Sequence, residues 1–273
     1  MNKEQPLITI VTPLLNRDKY LEDLILSVKN QDYPYIEHIV ADGGSTDGSI
    51  EILKKYEKIY NLKWFSGKDK GIFDAYNKAF AIATGDIFAW QDSDDFYLPG
   101  AVKKVAEIFQ KHPEVDFVFG NIMYCNADGK IIDYAKRPGF DPESLLYNGM
   151  NISPQTVFFR RSLFEKLKWV DINYKMCGDY DFYLRAMKSG AEFYHIPEFL
   201  AVYRFHAGQQ TSNREYMFKE AEGIRRKYID KNITEKDIKK IKIKLFFKRN
   251  WWYLKHGEFY YLFRVFLKRI KIL

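Results

Sequence analysis

Residues 36–49, IEHIVADGGSTDGS, run an apolar β-branched segment directly into a glycine-rich turn and a helix start. The Ile/Val-rich portion suits a buried strand, and the Gly, Asp and Ser that follow are the residue types that let a chain reverse. Asp47 or Ser49 can cap the next helix, whose apolar residues Ile50, Leu53, Tyr56 and Tyr60 recur every three or four positions. Upstream, residues 7–13, LITIVTP, predict an earlier strand. Between the two strands Leu21, Leu24, Ile25 and Val28 give residues 19–30 a helical face. Downstream, LKWFS at 62–66 reads as a third strand, Phe73, Tyr76, Phe80 and Ala83 mark a helix stopped by Gly85, and DIFAWQ at 86–91 is a fourth strand. Strands and helices alternating through short links predict an α/β fold, a mostly parallel central sheet flanked by helices.

The remaining pattern extends that sheet. Residues 101–111 are helical, VDFVFGNI at 115–122 is a strand, and Gly129 marks a hairpin-like turn. Residues 137–153 carry the mixed Gly, Pro and Asn signals of a surface loop, QTVFFRR at 155–161 is a strand, and 179–188 a helix. EFYHIP and FLAVYRFH look like the last two strands. A chain of 273 residues, 47% hydrophobic and 29% charged, can bury one large domain with an appendage, which excludes disorder and a small stapled scaffold. Two cysteines, Cys125 and Cys177, cannot build a disulfide framework or a four-ligand zinc site, and are expected as core residues in a reducing compartment. The first apolar run is too short for an export signal and no run of eighteen apolar residues occurs, so a cytoplasmic location is expected.

Ligands on such sheets bind where the strands end, which locates a site before any motif is named. Those ends carry Asn16 and Arg17, then Asp42 with two glycines, then Asp92, Ser93, Asp94 and Asp95. Three carboxylates within four residues after an apolar strand can hold magnesium or manganese against a diphosphate. They can equally form a solvated acidic turn that caps a helix. Asp42 can accept hydrogen bonds from a nucleoside, or simply shape its own turn. Neither G-x-G-x-x-G nor G-x-x-x-x-G-K-[ST] is present, so nicotinamide-type and P-loop chemistry lack their fingerprints. An aspartate-based phosphohydrolase is an alternative reading of Asp92 and Asp94, but it wants Thr or Val where Phe96 stands and places its motif on the first strand, not the fourth. A catalytically inactive membrane-bound scaffold is a third.

Five segments in order, TPLLNRDKYL, HIVADGGSTDGS, GKDKGIFDAYNKAFAIATGD, FAWQDSDDF and CGDYDFYLR, resemble the family 2 glycosyltransferases, inverting enzymes of the GT-A fold. The likeness spans residues 7–212 and implies a catalytic domain over 1–213. It further implies a nucleotide-sugar donor, expected to be a UDP-sugar, and a divalent cofactor, manganese or magnesium. By the same resemblance Thr12, Pro13, Asn16, Arg17 and Asp42 form a nucleotide-binding edge, and Lys70, Asp74 and Asn77 lie near nucleotide and donor sugar. Asp92, Ser93, Asp94 and Asp95 match the metal motif, Asp95 expected to touch the ion most directly and Asp94 also serving the ribose or sugar. Asp179 matches the general base. Arg204 and His206, with Gln209 and Gln210, follow the last core strand and are expected to close over the pyrophosphate; Gln155 resembles an acceptor-side position. The chain departs from the family at Gly43, where many members have a second acid, and at Gly178, where many have Glu before the base. An acceptor hydroxyl on a glycan or lipid-linked chain, in bacterial surface polysaccharide synthesis, is the expected setting.

The net charge of +7 is unevenly placed. Residues 214–273 hold 18 Lys and Arg against 7 Asp and Glu, leaving 25 against 29 in the rest of the chain. The segment reads as helices joined near Gly257. One stripe is Ile238, Ile241, Leu245 and Trp252; a second is Phe259, Leu262, Phe263, Phe266 and Leu267 beside Arg264, Lys268 and Arg269. Basic amphipathic helices with Trp and Tyr suit an anionic membrane surface, so peripheral attachment at the inner face is expected. Packing on the catalytic body or in a homo-oligomer is the other use of such stripes. No nucleic-acid module is recognisable, and no nucleic-acid partner is expected.

Overall fold

A computed structural model describes residues 5–209, 211, 213–259, 262 and 263. Gln210 and the stripe residues Phe266, Leu267, Arg264, Lys268 and Arg269 lie outside the described residues. The first half alternates as the pattern predicts: β1 (Ile8–Leu14), α1 (Asp18–Lys29), β2 (Ile36–Asp42), α2 (Ser49–Tyr56), β3 (Leu62–Ser66), α3 (Ile72–Ile82) and β4 (Ile87–Trp90). Then come β5 (Phe96–Tyr97), α4 (Ala101–Lys111), β6 (Phe117–Cys125), β7 (Ile131–Ala135), α5 (Pro142–Asn148), β8 (Phe158–Arg160), α6 (Arg161–Lys166), α7 (Gly178–Lys188) and β9 (Phe193–Arg204). The chain continues into α8 (Arg214–Tyr228) and α9 (Glu235–Lys255).

The strands form one sheet in the order β3-β2-β1-β4-β8-β6-β9-β5, with β7 added beside β6. β1 pairs in parallel with both β2 and β4, so the chain reverses its direction of travel across the sheet at β1. That is the topological switch point at which open α/β sheets leave a crevice beyond the strand ends. Leu14 pairs with Asp42, Asp42 with Ser66 and Val11 with Trp90, so the loops after four strands open on one edge. Beyond β4 the sheet is mixed: β8 is antiparallel to β4 and β6, while β9 is parallel to β6.

Alternation along the strands builds two cores. Phe88 and Trp90 join Val11, Ile39 and Ala41 in a cluster with α3, α7 and residues of α5, whereas Ile87 and Ala89 join Ile8, Ile10 and Val40 against α1 and α4. Both cysteines are free and buried, as their count predicts.

Three expectations need correction. The supposed surface loop at 137–153 contains α5, begun by Asp141, whose carboxylate accepts the Ser144 N–H. Pro142 at the first helical position fits that start, because its missing N–H would have had no partner there. The last two strands are one, β9, whose register against β6 shifts beside Asn121. The tail breaks before Thr234, where a capping box between Thr234 and Asp237 restarts the helix as α9, in addition to the turn at Gly257. Ile224 of α8 and Leu245 of α9 are buried in the same core as α3 and α7, and Lys248 and Lys244 pair with Asp141 and Glu143 beside α5.

Candidate active site

A cavity of about 1190 Å³ lies at the edge where β1, β3 and β4 end. From the nucleotide-edge set, Pro13, Asn16 and Arg17 line it; Asn16 adopts the left-handed conformation at φ 51°, which Asn tolerates better than most residues. Asn16 Oδ1 accepts the Thr46 N–H at 2.8 Å, tying the first loop to the glycine turn.

Asp92, Ser93 and Asp94 also line the cavity. Asp94 Oδ2 lies 2.8 Å from His206 Nε2 and 3.4 Å from Arg17 Nε. Asp92 accepts from the Tyr76 hydroxyl at 2.8 Å and from Gln155 Nε2 at 3.3 Å. Burial, reinforced by the Asp94 carboxylate, raises the Asp92 pKa to about 6. Asp179, in the first turn of α7, opens on the same space, and its Oδ1 is buried with no hydrogen-bond partner among the described residues. Burial raises its pKa to about 7; the Tyr180 N–H opposes this and Asp92 adds to it, so the two carboxylates feel one another. Gly178 has a local cause: a side chain there would begin 2.9 Å from the Phe73 ring.

Other expected residues stand elsewhere. Asp95 does not line the cavity: it is buried, its Oδ1 accepts the Arg204 N–H at 2.7 Å, and its Oδ2 has no partner among the described residues. Burial and the neighbouring Asp94 and Asp92 push its pKa well up, and the residue expected to touch the ion most directly stands beneath the cavity lining. Asp42 is buried too, its carboxylate engaged by the Gly44 and Ser45 N–H groups and the Ser66 hydroxyl. Thr12 faces His38, 3.0 Å away, inside the sheet.

Lys70 and Asp74 belong to a helix-start turn in which Asp74 binds the Lys70 N–H and Lys78; neither of the two lines the cavity, although Asp69 and Gly71 beside them do. Asn77 holds both the N–H and the C=O of Val170 and acts as a staple between α3 and the loop after α6. Arg204 is a buried strut that donates to the carbonyls of Asp94 and Ala127 and to Asp23 Oδ2 at 2.7 Å, so it cannot close over a ligand in this arrangement. His206 and Gln209 do line the cavity.

Sequence reading missed Asp69, Tyr76, Trp90, Arg137, Tyr203 and Phe205, all of which line the same space. Asp69 had a signal: Gly43 lacks the Cβ that would stand 2.7 Å from the Asp69 carboxylate, so a glycine there admits it. The others come from strands and loops whose sides only the fold decides.

A carboxylate and an imidazole side by side are donors that suit a divalent ion. Among the described residues no three His, Cys, Asp or Glu side chains converge on one point, so Asp94 and His206 fit an ion that draws its remaining ligands from a substrate phosphate and water.

The family model for glycosyl transferase family 2 matches residues 9–168. TuaG of Bacillus subtilis, a glycosyltransferase whose name ties it to teichuronic acid biosynthesis, is 31% identical over 220 residues, covering 78% of this chain and 85% of its own. A PGL/p-HBAD biosynthesis glycosyltransferase of Mycobacterium bovis is 27% identical over 189 residues, 68% of this chain and 72% of that one. Among solved structures, S. aureus TarS 1–349 in complex with UDP-GlcNAc superposes with a TM-score of 0.68 at 21% identity, covering 86% of this chain and 70% of its own. The mannosyltransferase PcManGT of Pyrobaculum calidifontis, in complex with GDP-Man and Mn2+, gives 0.66 at 19%, with 87% and 68% covered. Those likenesses establish the GT-A architecture, and the match to the glycosyl transferase family model removes the phosphohydrolase alternative. The order of segments, the switch-point crevice and the family match agree, and the chain belongs to glycosyl transferase family 2 as a glycosyltransferase enzyme.

Proposed function

We propose that the protein is a metal-dependent inverting transferase that moves a sugar from a UDP-sugar to a hydroxyl of a glycan or lipid-linked acceptor in bacterial surface polysaccharide synthesis. The observation that carries this reading is the pairing, in one cavity, of a buried carboxylate without a hydrogen-bond partner on Oδ1 among the described residues, Asp179, with the Asp94–His206 pair. Asp179 takes the proton of the acceptor hydroxyl as its oxygen bonds to the anomeric carbon and the bond to the diphosphate breaks, so one displacement inverts the centre. A base whose pKa is near 7 is matched to that task at neutral pH. Asp94 and His206 would hold a divalent ion; when bound, the ion supplies charge for the departing diphosphate. Arg17 and Asn16 orient the nucleotide end, and Tyr76 and Gln155 fix Asp92.

The names of the relatives support an envelope-polymer setting, and the complexes of TarS and PcManGT support a nucleotide-sugar donor with a divalent cation. Thermal-shift screening against UDP-, GDP- and dTDP-sugars with manganese identifies the donor by mass action. EDTA is expected to stop transfer, with manganese or magnesium restoring it; turnover that persists in EDTA overturns the metal.

We read residues 1–213 as the catalytic domain and 214–273 as its membrane-facing extension. No helix among the described residues is long and apolar enough to cross a membrane. The support for surface attachment is an outward stripe on α9: Ile243, Phe247, Trp251 and Leu254 are exposed beside Lys240, Lys244, Lys248 and Lys255. Flotation with phosphatidylglycerol vesicles, but not with phosphatidylcholine alone, is the expected result. A dimer on sizing that W251A dissolves, without flotation, would assign the stripe to a second copy instead.

A further inference from the structure

On the side of the cavity away from the nucleotide edge stands a guanidinium with no hydrogen-bond or ion-pair partner among the described residues. Arg137 follows β7 and lines the cavity near Ile122, Met150 and Ile152. Its backbone N–H donates to Asn121 Oδ1 at 2.8 Å, but its Nε is buried and has no partner, and the side chain makes no ion pair among the described residues. The residue is only half-buried, and its terminal nitrogens make no hydrogen bond among the described residues, so the guanidinium keeps donors free for an anion that enters the cavity.

The segment is braced for that purpose. The carbonyl of Lys136 accepts the Tyr253 hydroxyl at 2.9 Å, the Lys136 amine pairs with Glu258, and Lys248 pairs with Asp141 at 2.6 Å, so α9 and the turn after it hold the loop that carries Arg137. Arg214, in the first turn of α8, is a second guanidinium lining the cavity without an ion pair among the described residues. The third, Arg17, is already committed to Asp94 and to the Gly208 carbonyl at 2.8 Å.

The donor diphosphate does not account for Arg137. In the sheet, β6 and its partner β7 are separated from β1 by β8 and β4, so Arg137 enters from the opposite flank to Asn16 and Arg17. Exposed Phe205 and Phe218 line the same cavity and offer rings on which a sugar can stack. We infer that the acceptor carries an anionic group, a phosphate or a carboxylate, and that Arg137, seconded by Arg214, is its recognition site. This rests on the transferase reading of the cavity. Arg137 acts on binding and orientation of the acceptor; the proton transfer stays with Asp179.

The test is calorimetric titration of the full chain, with manganese and saturating UDP filling the donor half. The probes are methyl glucuronide, glycerol phosphate, geranyl diphosphate and, as the neutral control, methyl glucoside. At least one charged probe is expected to bind tenfold or more tightly than methyl glucoside, and which one does so separates a carboxylate from a glycan phosphate or a lipid phosphate. R137Q is expected to abolish the preference, R137K to keep part of it, and R137Q to melt no lower than wild type, because no bond is lost with the guanidinium. Equal affinity for charged and neutral probes, or a preference that survives in R137Q, overturns the inference. A lower melting temperature with the preference unchanged reduces Arg137 to a strut and overturns it too. Failure of UDP, GDP and dTDP alike to bind overturns the transferase reading, and the acceptor site with it, which sets that failure apart from the others.

Discussion

The two flanks of the cavity treat their polar groups in opposite ways. On the β1–β4 flank nearly every charged side chain already has a partner: Arg17 with Asp94, Asp94 with His206, Asp92 with Tyr76 and Gln155. Asp179 Oδ1, on the helix packed against α3, and Arg137 Nε, after β7, are by contrast buried and unmatched among the described residues, as are the uncharged Trp90 Nε1 and one oxygen of Asp95. A preorganised flank fixes geometry before a ligand arrives, whereas an unmatched flank keeps its hydrogen-bonding capacity for the ligand itself. The difference teaches where stability and chemistry trade against each other: removing a group from the first flank should loosen the site, and removing one from the second should stop the reaction without harming the fold.

The largest effect is expected at Asp179. Asp179→Asn should lower transfer by about a hundred- to ten-thousandfold, the range for losing a general base, while UDP binding measured by calorimetry stays within a fewfold of wild type. Wild-type turnover in that variant would remove Asp179 from the reaction and the comparison with it.

Next comes the buried strut. Arg204→Ala leaves three acceptors and the space of a fully buried side chain unfilled, and should destabilise by about 3–5 kcal/mol in chemical denaturation. A loss under about 1 kcal/mol would show that the preorganised flank does not depend on it.

Asn77→Ala strands the backbone N–H and C=O of Val170 and should cost about 1–3 kcal/mol, whereas Lys70→Ala, on an exposed turn, should stay within about 0.5 kcal/mol. The same pair of variants separates a staple from a ligand contact, because only a ligand contact would raise the KM for the donor at Lys70.

The same carboxylate also sets a pH dependence. The folded state holds the Asp179 proton up to about pH 7, whereas a free aspartate releases it near 3.8, so stability from this group falls as pH rises between those values. Asp179→Asn should therefore melt close to wild type at pH 4 and above it at pH 8, a gap that differential scanning calorimetry can follow. A gap that narrows with rising pH would mean that the carboxylate is paired, not exposed to its own burial. For activity the sign reverses: transfer needs the ionised base, so kcat/KM should fall about tenfold per unit on the acid side of 7.

Much of the first flank was legible beforehand because its elements announce themselves locally. Alternating apolar residues and glycine turns define β1 to β4, and the acids at their ends have to emerge on one edge. Pro13, Asn16, Arg17, Asp92, Ser93, Asp94, His206, Gln155 and Asp179 all line the cavity. Asp95 and Asp42 do not, since a strand end or tight turn places neighbouring side chains on opposite sides and no local signal says which one a partner such as Arg204 or Ser66 will claim. The helix α5 escaped notice for a related reason. Gly and Pro near its ends read as loop punctuation, and seven residues are too few for periodicity to speak.

The amino-acid order by itself determined the alternation of strands and helices and the edge at which the site opens, and its resemblance to family 2 pointed to Asp179 as the proposed base. Hydrophobic period and turn chemistry act over a few residues and survive without knowledge of partners. Only the tertiary structure decided which acids are consumed inside the protein, that α8 and α9 share its core, and that Arg137 meets the cavity unpaired. Those outcomes depend on desolvation and on contacts between segments as far apart as Lys136 and Tyr253, and burial is a property of the packed molecule that no single segment carries.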